Sequence, residues 1–336
     1  ILKTYIPPIL IMLGSLGNVL AIIGIRKCHC SSSMRFYLMF FAAINTIVLF
    51  LGCGLEWISH ITEIQPVANM QDWLCKLSQF VFNLITYSPY WIVVLMLMDR
   101  IIYVWSPIHA KSFCTAFVAK VLVAFTYIGL LCLSIHAMWT YELDPHSGLC
   151  NIDPLQHYFQ TVVWPWISAT LYSYVPLSIM LFLVPLLLIG LKLRCAQPPS
   201  TSQQSPAPDQ LFTVTITVSV IFFLLCLPNV ILNFIDYSQP LWLQSHQNYA
   251  RFYLVSVLCQ KLQCLNQAIT HIVYLTCIPG CARALLQSCN HSAYNGNNND
   301  IEVNGQLLTS TGNASIDADL IGCVISTLML ISHGQL

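Results

Sequence analysis

Charge is what this chain has least of. Of its 336 residues, 8% are Asp, Glu, Lys or Arg, where soluble domains carry about 25%. A water-soluble core of this length could not hide a chain that is 57% hydrophobic, so lipid is the solvent implied. The charges also cancel, Lys+Arg 13 against Asp+Glu 13, which leaves no basic excess for nucleic acid or another polyanion. Catalytic signatures are missing as well: there is no His-Glu-x-x-His zinc helix, no Gly-x-Ser-x-Gly and no pair of intramembrane aspartates, so an enzyme is not indicated. Cys28-His29-Cys30 looks like part of a metal site, but two further ligands at suitable spacing are lacking. No metal and no cofactor is expected. Midplane charge and internal repeats, which a transporter or channel would favour, are nearly or wholly absent. The chain starts at Ile1 with neither an initiator Met nor a cleavable signal pattern, and is expected to lack its true N-terminus.

Long apolar runs are abundant. Seven stand out, near 5–25, 35–59, 73–104, 117–140, 162–193, 211–236 and 249–277, each long enough to cross a bilayer as a helix. Breakers mark the joints: the Arg26 to Ser33 segment, Pro66, Ser106-Pro107, and the Pro198 to Pro208 stretch. The expected fold is an all-α membrane protein, a seven-helix bundle with a short amphipathic eighth helix. Residues 1–289 form the bundle domain and 290–336 a tail. Positive residues gather on one side, among them Arg26, Lys27, Arg35, Arg100, Lys111, Lys120, Lys192, Arg194 and Arg283. The positive-inside rule places that side in the cytoplasm, with the N-terminus outside and the tail inside. The tail is rich in Asn, Ser, Gly and Thr and is expected to be disordered. Its acceptor motifs at Asn290 and Asn313 would be cytoplasmic and unused. The apolar run 320–331 is too short to span, and nothing in the sequence assigns it a role.

Two features give the bundle direction. Cys75 opens the third run and Asp99-Arg100 closes it 24 residues later, roughly 36 Å of helix, about a hydrocarbon core plus one headgroup layer. Most of the fifteen cysteines lie in spans or on the reducing side. Cys75 and Cys150 both face the oxidising side. They are either a disulfide that pins the loop after the fourth span or two free loop thiols. Asp99-Arg100 is either a charged switch or a snorkelling interface pair. Asp209 is either a second partner for Arg100 or an N-cap after Pro208. Cys289 is a lipidation candidate.

Order and spacing of short motifs then resemble one family. Gly17-Asn18-Val19, Cys75, Asp99-Arg100-Ile101, Cys150, Pro176, Phe222 with Cys226-Leu227-Pro228, and Leu265-Asn266 followed by Tyr274 are similar to the signature positions of rhodopsin-like (class A) G-protein-coupled receptors. The resemblance runs from the first span to about Cys289. Departures mark a divergent branch. Asn45 replaces Asp, Ile101 replaces the Tyr of the Asp-Arg-Tyr motif, Cys226 replaces Trp, Thr270-His271 replaces Asn-Pro, and Val184 stands where the fifth span often has Tyr. The fourth span lacks its Trp, with Tyr127 nearest. Invertebrate peptide receptors of the FMRFamide-receptor type show a comparable pattern.

The resemblance implies a plasma-membrane receptor that passes binding of an extracellular ligand, a neuropeptide by preference, to a heterotrimeric G protein. It implies a Cys75–Cys150 disulfide and an activation switch of Asn18, Asn45, Asp99, Arg100, Phe222, Cys226, Pro228, Asn266 and Tyr274. Asp99 would hold Arg100 in the off state, and bends at Pro176, Pro185 and Pro228 would permit movement. Phe82 falls where amine receptors carry Asp, and Cys264 near the opsin lysine position, so neither ligand class is indicated. The expected pocket is Gln79, Phe82, Asn83, Thr86, Asn229, Asn233 and Gln260, whose amides and aromatics suit peptide backbones. Core packing is the alternative for any one of them. Glu56 and Asp236 at the rim would meet a basic peptide end. Asn45 carries no charge, Pro89 falls where a small polar group is usual, and only Asn18 and Asn266 remain polar, so sodium should bind poorly. His271 is either a neutral core histidine or a pH sensor. A transporter, a channel, or a seven-span protein that no longer signals remain the alternatives.

Overall fold

A computed structural model describes residues 2–278 apart from 29, 64–70, 145, 197–209 and 239–245. The expectations for Asp209, Cys289, the eighth helix, the tail and the run 320–331 lie outside the described residues.

The first span is α1 (Ile6–Lys27). Pro7 and Pro8 open it, where a missing N–H costs nothing, and Arg26 and Lys27 sit in its last turn, against the negative end of the dipole. The second is α2 (Ser32–Val48), a π turn over Leu49–Gly54 and α3 (Leu55–Thr62), closed by left-handed Glu63. The third is α4 (Asp72–Trp105). A short α5 (Pro107–Phe113) leads to α6 (Ala116–Ser134) and α7 (Ala137–Thr140), the fourth span. The Thr115 hydroxyl caps α6 by accepting from the Val118 N–H at 3.3 Å. Strands β1 (Tyr141–Leu143) and β2 (Cys150–Ile152) follow as an antiparallel hairpin with Leu143 opposite Cys150. Its turn contains Gly148 at φ 65°, which a side chain would strain. The fifth span joins a π turn (Phe159–Val163), α8 (Trp164–Ala169), a second π turn (Thr170–Tyr174) and α9 (Val175–Ala196). The sixth is α10 (Gln210–Ser238) and the seventh α11 (His246–Cys277).

Six of these rods are long and apolar enough to cross a membrane on length and composition alone. The seventh, 32 residues long, is more polar than the sequence reading of seven apolar runs suggests. Its Lys261, Asn266, Gln267 and Thr270 are buried, which removes them from lipid without removing them from the helix. The hairpin and α5 are additions that the sequence reading passed over as joints.

The bundle buries an apolar core, as a soluble helix protein does, but its outward face is apolar too. Along α1, Ile11, Gly14, Asn18, Ala21 and Ile25 are buried at steps of three and four residues, while Met12, Leu16 and Val19 are exposed. Large apolar side chains thus face outward as well as inward, and glycine, alanine and asparagine stand among the inward ones. Glycine sets the closeness of α1 to α11. A Cβ on Gly14 would lie 2.7 Å from the Ala268 Cα, and one on Gly17 would enter the His271 ring. A Cβ on Gly129 of α6, by contrast, meets nothing within 4 Å.

Gly14→Leu should therefore lower the melting temperature of the detergent-solubilised protein by several degrees, and Gly129→Leu should leave it nearly unchanged. Equal effects in a thermal-shift assay would contradict this packing.

Candidate functional site

The two ends of α4 are built differently. At its first turn, Cys75 is joined to Cys150 by a disulfide with Cα atoms 5.5 Å apart. Asp72 adds a second tie, because its carboxylate accepts the Leu143 N–H at 3.0 Å and pairs with Lys76 at 2.5 Å. The hairpin is thus held to α4 through both strands, of which only the β2 tie was expected. Nearby, Asp144 accepts from the His146 N–H and the Ser147 hydroxyl, which hold its carboxyl below the usual carboxylate range.

At the other end of α4, Arg100 is fully buried. Its Nη2 and Nε donate to Asp99 at 2.5 and 3.1 Å, and Nη2 also reaches the Ser31 hydroxyl at 3.2 Å. The guanidinium lies 5.2 Å from the Tyr103 ring and 5.6 Å from the Phe212 ring of α10. Both are within cation–π range, and Nη1 makes no hydrogen bond. Arg194 of α9 also lies 5.7 Å from the Tyr103 ring. The Cys114 thiol donates to the Asp99 carbonyl at 3.4 Å. Burial, reinforced by the Asp99 charge, pushes that thiol up to about 11, so it stays protonated and a poor nucleophile. The buried arginine is thus held by one carboxylate, one hydroxyl and two ring faces, one of them on α10.

Between the ends lies a polar seam. Asn45 donates to the Thr270 hydroxyl at 3.2 Å, Thr270 donates to the Asn266 carbonyl at 2.9 Å, and Asn18 donates to the Gln267 carbonyl at 3.2 Å. All five are buried. The expectation that Asn18 and Asn266 alone stay polar here is corrected: Thr270 and Gln267 belong to the seam, and Thr270 supplies the partner of Asn45. Asn266 also faces the Cys226 sulfur at 3.9 Å. Above it, Phe222 meets Tyr90 edge-on at 4.8 Å, and the Tyr90 hydroxyl accepts from Gln263 at 2.9 Å. Pro228 lies inside α10 six residues beyond Phe222. Tyr274 is fully buried, and its hydroxyl has no hydrogen-bond partner. The His271 ring sits against Gly17.

The expected pocket residues are spread over this upper half. Asn83 is buried, Gln79, Thr86, Asn229 and Asn233 are half-buried, and Phe82 and Gln260 are exposed. Gln263 of α11, which reaches Tyr90, was not among the expected pocket residues. Glu56 is not free for a basic peptide end, because Lys261 pairs with it at 2.9 Å. The π turn before α3 shifts the phase of the helix and delivers Glu56 to α11. Tyr127, the aromatic nearest the expected fourth-span Trp, packs edge-on against Phe40 at 5.7 Å.

Removing one partner of a buried bond costs about 1–3 kcal/mol, whereas replacing both by apolar groups is nearly neutral. Thr270→Val should accordingly lower thermal stability, and adding Asn45→Leu should recover most of the loss. A double variant that is less stable than either single one, read by thermal shift, would show that the two residues do not act as a pair.

Residues 17–274 match the sequence profile described as 7 transmembrane receptor (rhodopsin family). No curated protein matches the chain. The matched stretch begins at the glycine that lets α1 approach α11 and ends at the buried Tyr274, so it contains the disulfide, the Arg100 cluster and the polar seam. The chain belongs to the rhodopsin family of seven-transmembrane receptors.

Proposed function

We propose that this receptor sits in the plasma membrane with its disulfide end outside and its Arg100 end in the cytoplasm, binds an extracellular peptide, and signals to a heterotrimeric G protein. Charge supports the orientation, since the Arg100 end carries Arg26, Lys27, Arg35, Lys111, Lys120, Lys192 and Arg194. The observation that carries the signalling role is the burial of Arg100 under Phe212. An arginine kept from solvent by a ring on α10 becomes available when α10 swings away, and the bend at Pro228 gives that helix a place to pivot. Asp99, Asn18, Asn45, Phe222, Cys226, Asn266 and Tyr274 form the buried line between the two ends. Tyr274, lacking a hydrogen-bond partner at rest, is free to turn toward the space Arg100 leaves. Amide side chains at Gln79, Asn83, Asn229 and Asn233, with Thr86, offer a peptide backbone both donors and acceptors.

Desolvated cation–π contacts are worth up to about 2 kcal/mol, roughly tenfold or more in an equilibrium. Phe212→Ala should raise ligand-independent nucleotide exchange on co-reconstituted G proteins several-fold, Phe212→Trp should not, and Arg100→Ala should abolish exchange. Silence of all variants toward every G-protein class would favour a seven-span protein that no longer signals, and solute flux in the same vesicles would favour a transporter.

The neutral Asn45, engaged by Thr270, offers no carboxylate to a cation. Replacing sodium by N-methylglucamine should leave the basal exchange of Phe212→Ala within about twofold. Strong suppression by sodium would contradict this reading.

A further inference from the structure

The cross-links between the second and seventh spans fall in antiparallel register. Toward the disulfide end, Glu56 pairs with Lys261 at 2.9 Å. Deeper in the bundle, Asn45 donates to the Thr270 hydroxyl at 3.2 Å. Cys53 and Cys264 stand between these two bonds. Cys53 lies three residues inward from Glu56, and Cys264 three residues inward from Lys261, so each cysteine follows its neighbour on the same face of its rod. The two thiols interact side chain to side chain, and both lie in the field of the Lys261–Glu56 ion pair. Cys53 is buried, Cys264 is partly exposed, and neither belongs to a disulfide. Other thiols are placed differently. Cys114 donates to the Asp99 carbonyl, Cys226 faces Asn266, and Cys132 is exposed on α6.

From this register we infer that Cys53 and Cys264 are a site of reversible oxidation, closing to a disulfide that staples the second span to the seventh. The oxidant is a small uncharged disulfide, because a charged one would have to give up its hydration to reach thiols inside a span. Cys264, the more exposed of the two, reacts first. Its thiolate attacks one sulfur of the oxidant, forms a mixed disulfide and expels the first small thiolate. Cys53 then attacks the Cys264 sulfur and expels the second. The two protein thiols give up two electrons and two protons, the S–S bond of the oxidant takes them, and two small thiols leave. The Cys75–Cys150 bond ties the hairpin to α4 and does not reach α11. Closing Cys53–Cys264 therefore adds a covalent link to the rod that carries Asn266, Thr270 and Tyr274. The inference goes beyond the receptor reading, and closure of the bond does not depend on coupling to a G protein.

The test uses the full chain in lipid nanodiscs with a protease site inserted after Gln203, which leaves Cys53, Cys75 and Cys150 on one fragment and Cys264 on the other. The probe is dipyridyl disulfide. After oxidation and cleavage, the fragments should run as one band without reductant and as two after dithiothreitol. Peptide mapping should find Cys53 joined to Cys264. Cys53→Ala and Cys264→Ala should each let the fragments part, while Cys132→Ala and Cys259→Ala should leave them joined. In the uncut chain, oxidation should raise the melting temperature by several degrees, a rise absent from Cys53→Ala and Cys264→Ala. Fragments that part after oxidation of the unsubstituted chain, a map that joins other cysteines only, or a join that survives Cys53→Ala would overturn the proposal. Failure of the receptor reading itself would instead appear as absent nucleotide exchange, with the staple intact.

Discussion

Hydrocarbon cannot hydrogen-bond, and the rest of this structure follows from that. An amide, hydroxyl or charge on the seven rods gains most from a partner inside the bundle or at its ends. Asn45 therefore reaches Thr270, Asn18 reaches Gln267, Gln263 reaches Tyr90, and Lys261 reaches Glu56. Each bond joins α11 to another span, which is why the most polar rod is also a hub of the interior. Small residues make the bonds geometrically possible. Gly14 and Gly17 bring α1 near enough to α11 for the Asn18 amide to span the gap at 3.2 Å.

The same constraint separates the two ends by kind of fastening. At the Cys75 end the hairpin is fixed covalently and by the Asp72 carboxylate, a connection that does not open on the timescale of signalling. At the Arg100 end, one contact between α4 and α10 is a ring over a guanidinium, the contact that opens on the proposed reading. On the proposed reading the bundle moves at the Arg100 end and not at the fastened one. The swap of Asn45 and Thr270 into a seam that elsewhere in the family holds Asp and Asn keeps a hydrogen bond there while removing its charge.

Most of this architecture was legible in the chain. Long apolar runs and their breakers placed all seven rods to within a few residues, because a helix in lipid must be both long and continuous. Cys75, Cys150 and the Asp99-Arg100 pair stood out because each is costly or useless away from an end. The hairpin was not legible: strands of three residues have no alternation to detect, and their register depends on a distant cysteine. Pro107 was read as a breaker, though proline also starts helices, and α5 begins on it. Gln263 went unnoticed because a span with amides on several sides gives little phase information, and one residue turns a helix by about 100°. Thr270 and Asn45 were each seen as departures but not as partners, since pairing across 225 residues leaves no local trace. Phe212 escaped notice because an aromatic over a guanidinium looks, in sequence, like any other apolar residue.

The central claim is that the hairpin end and the Arg100 end lie on opposite sides of a cell membrane, the hairpin outside. Epitope tags inserted at Ser147 in the hairpin and after Gln203 between the fifth and sixth spans test it in one experiment. Antibody added to intact cells should label the Ser147 tag alone, and permeabilisation should reveal the other. Labelling of both tags on intact cells, or of the Gln203 tag alone, would contradict the account.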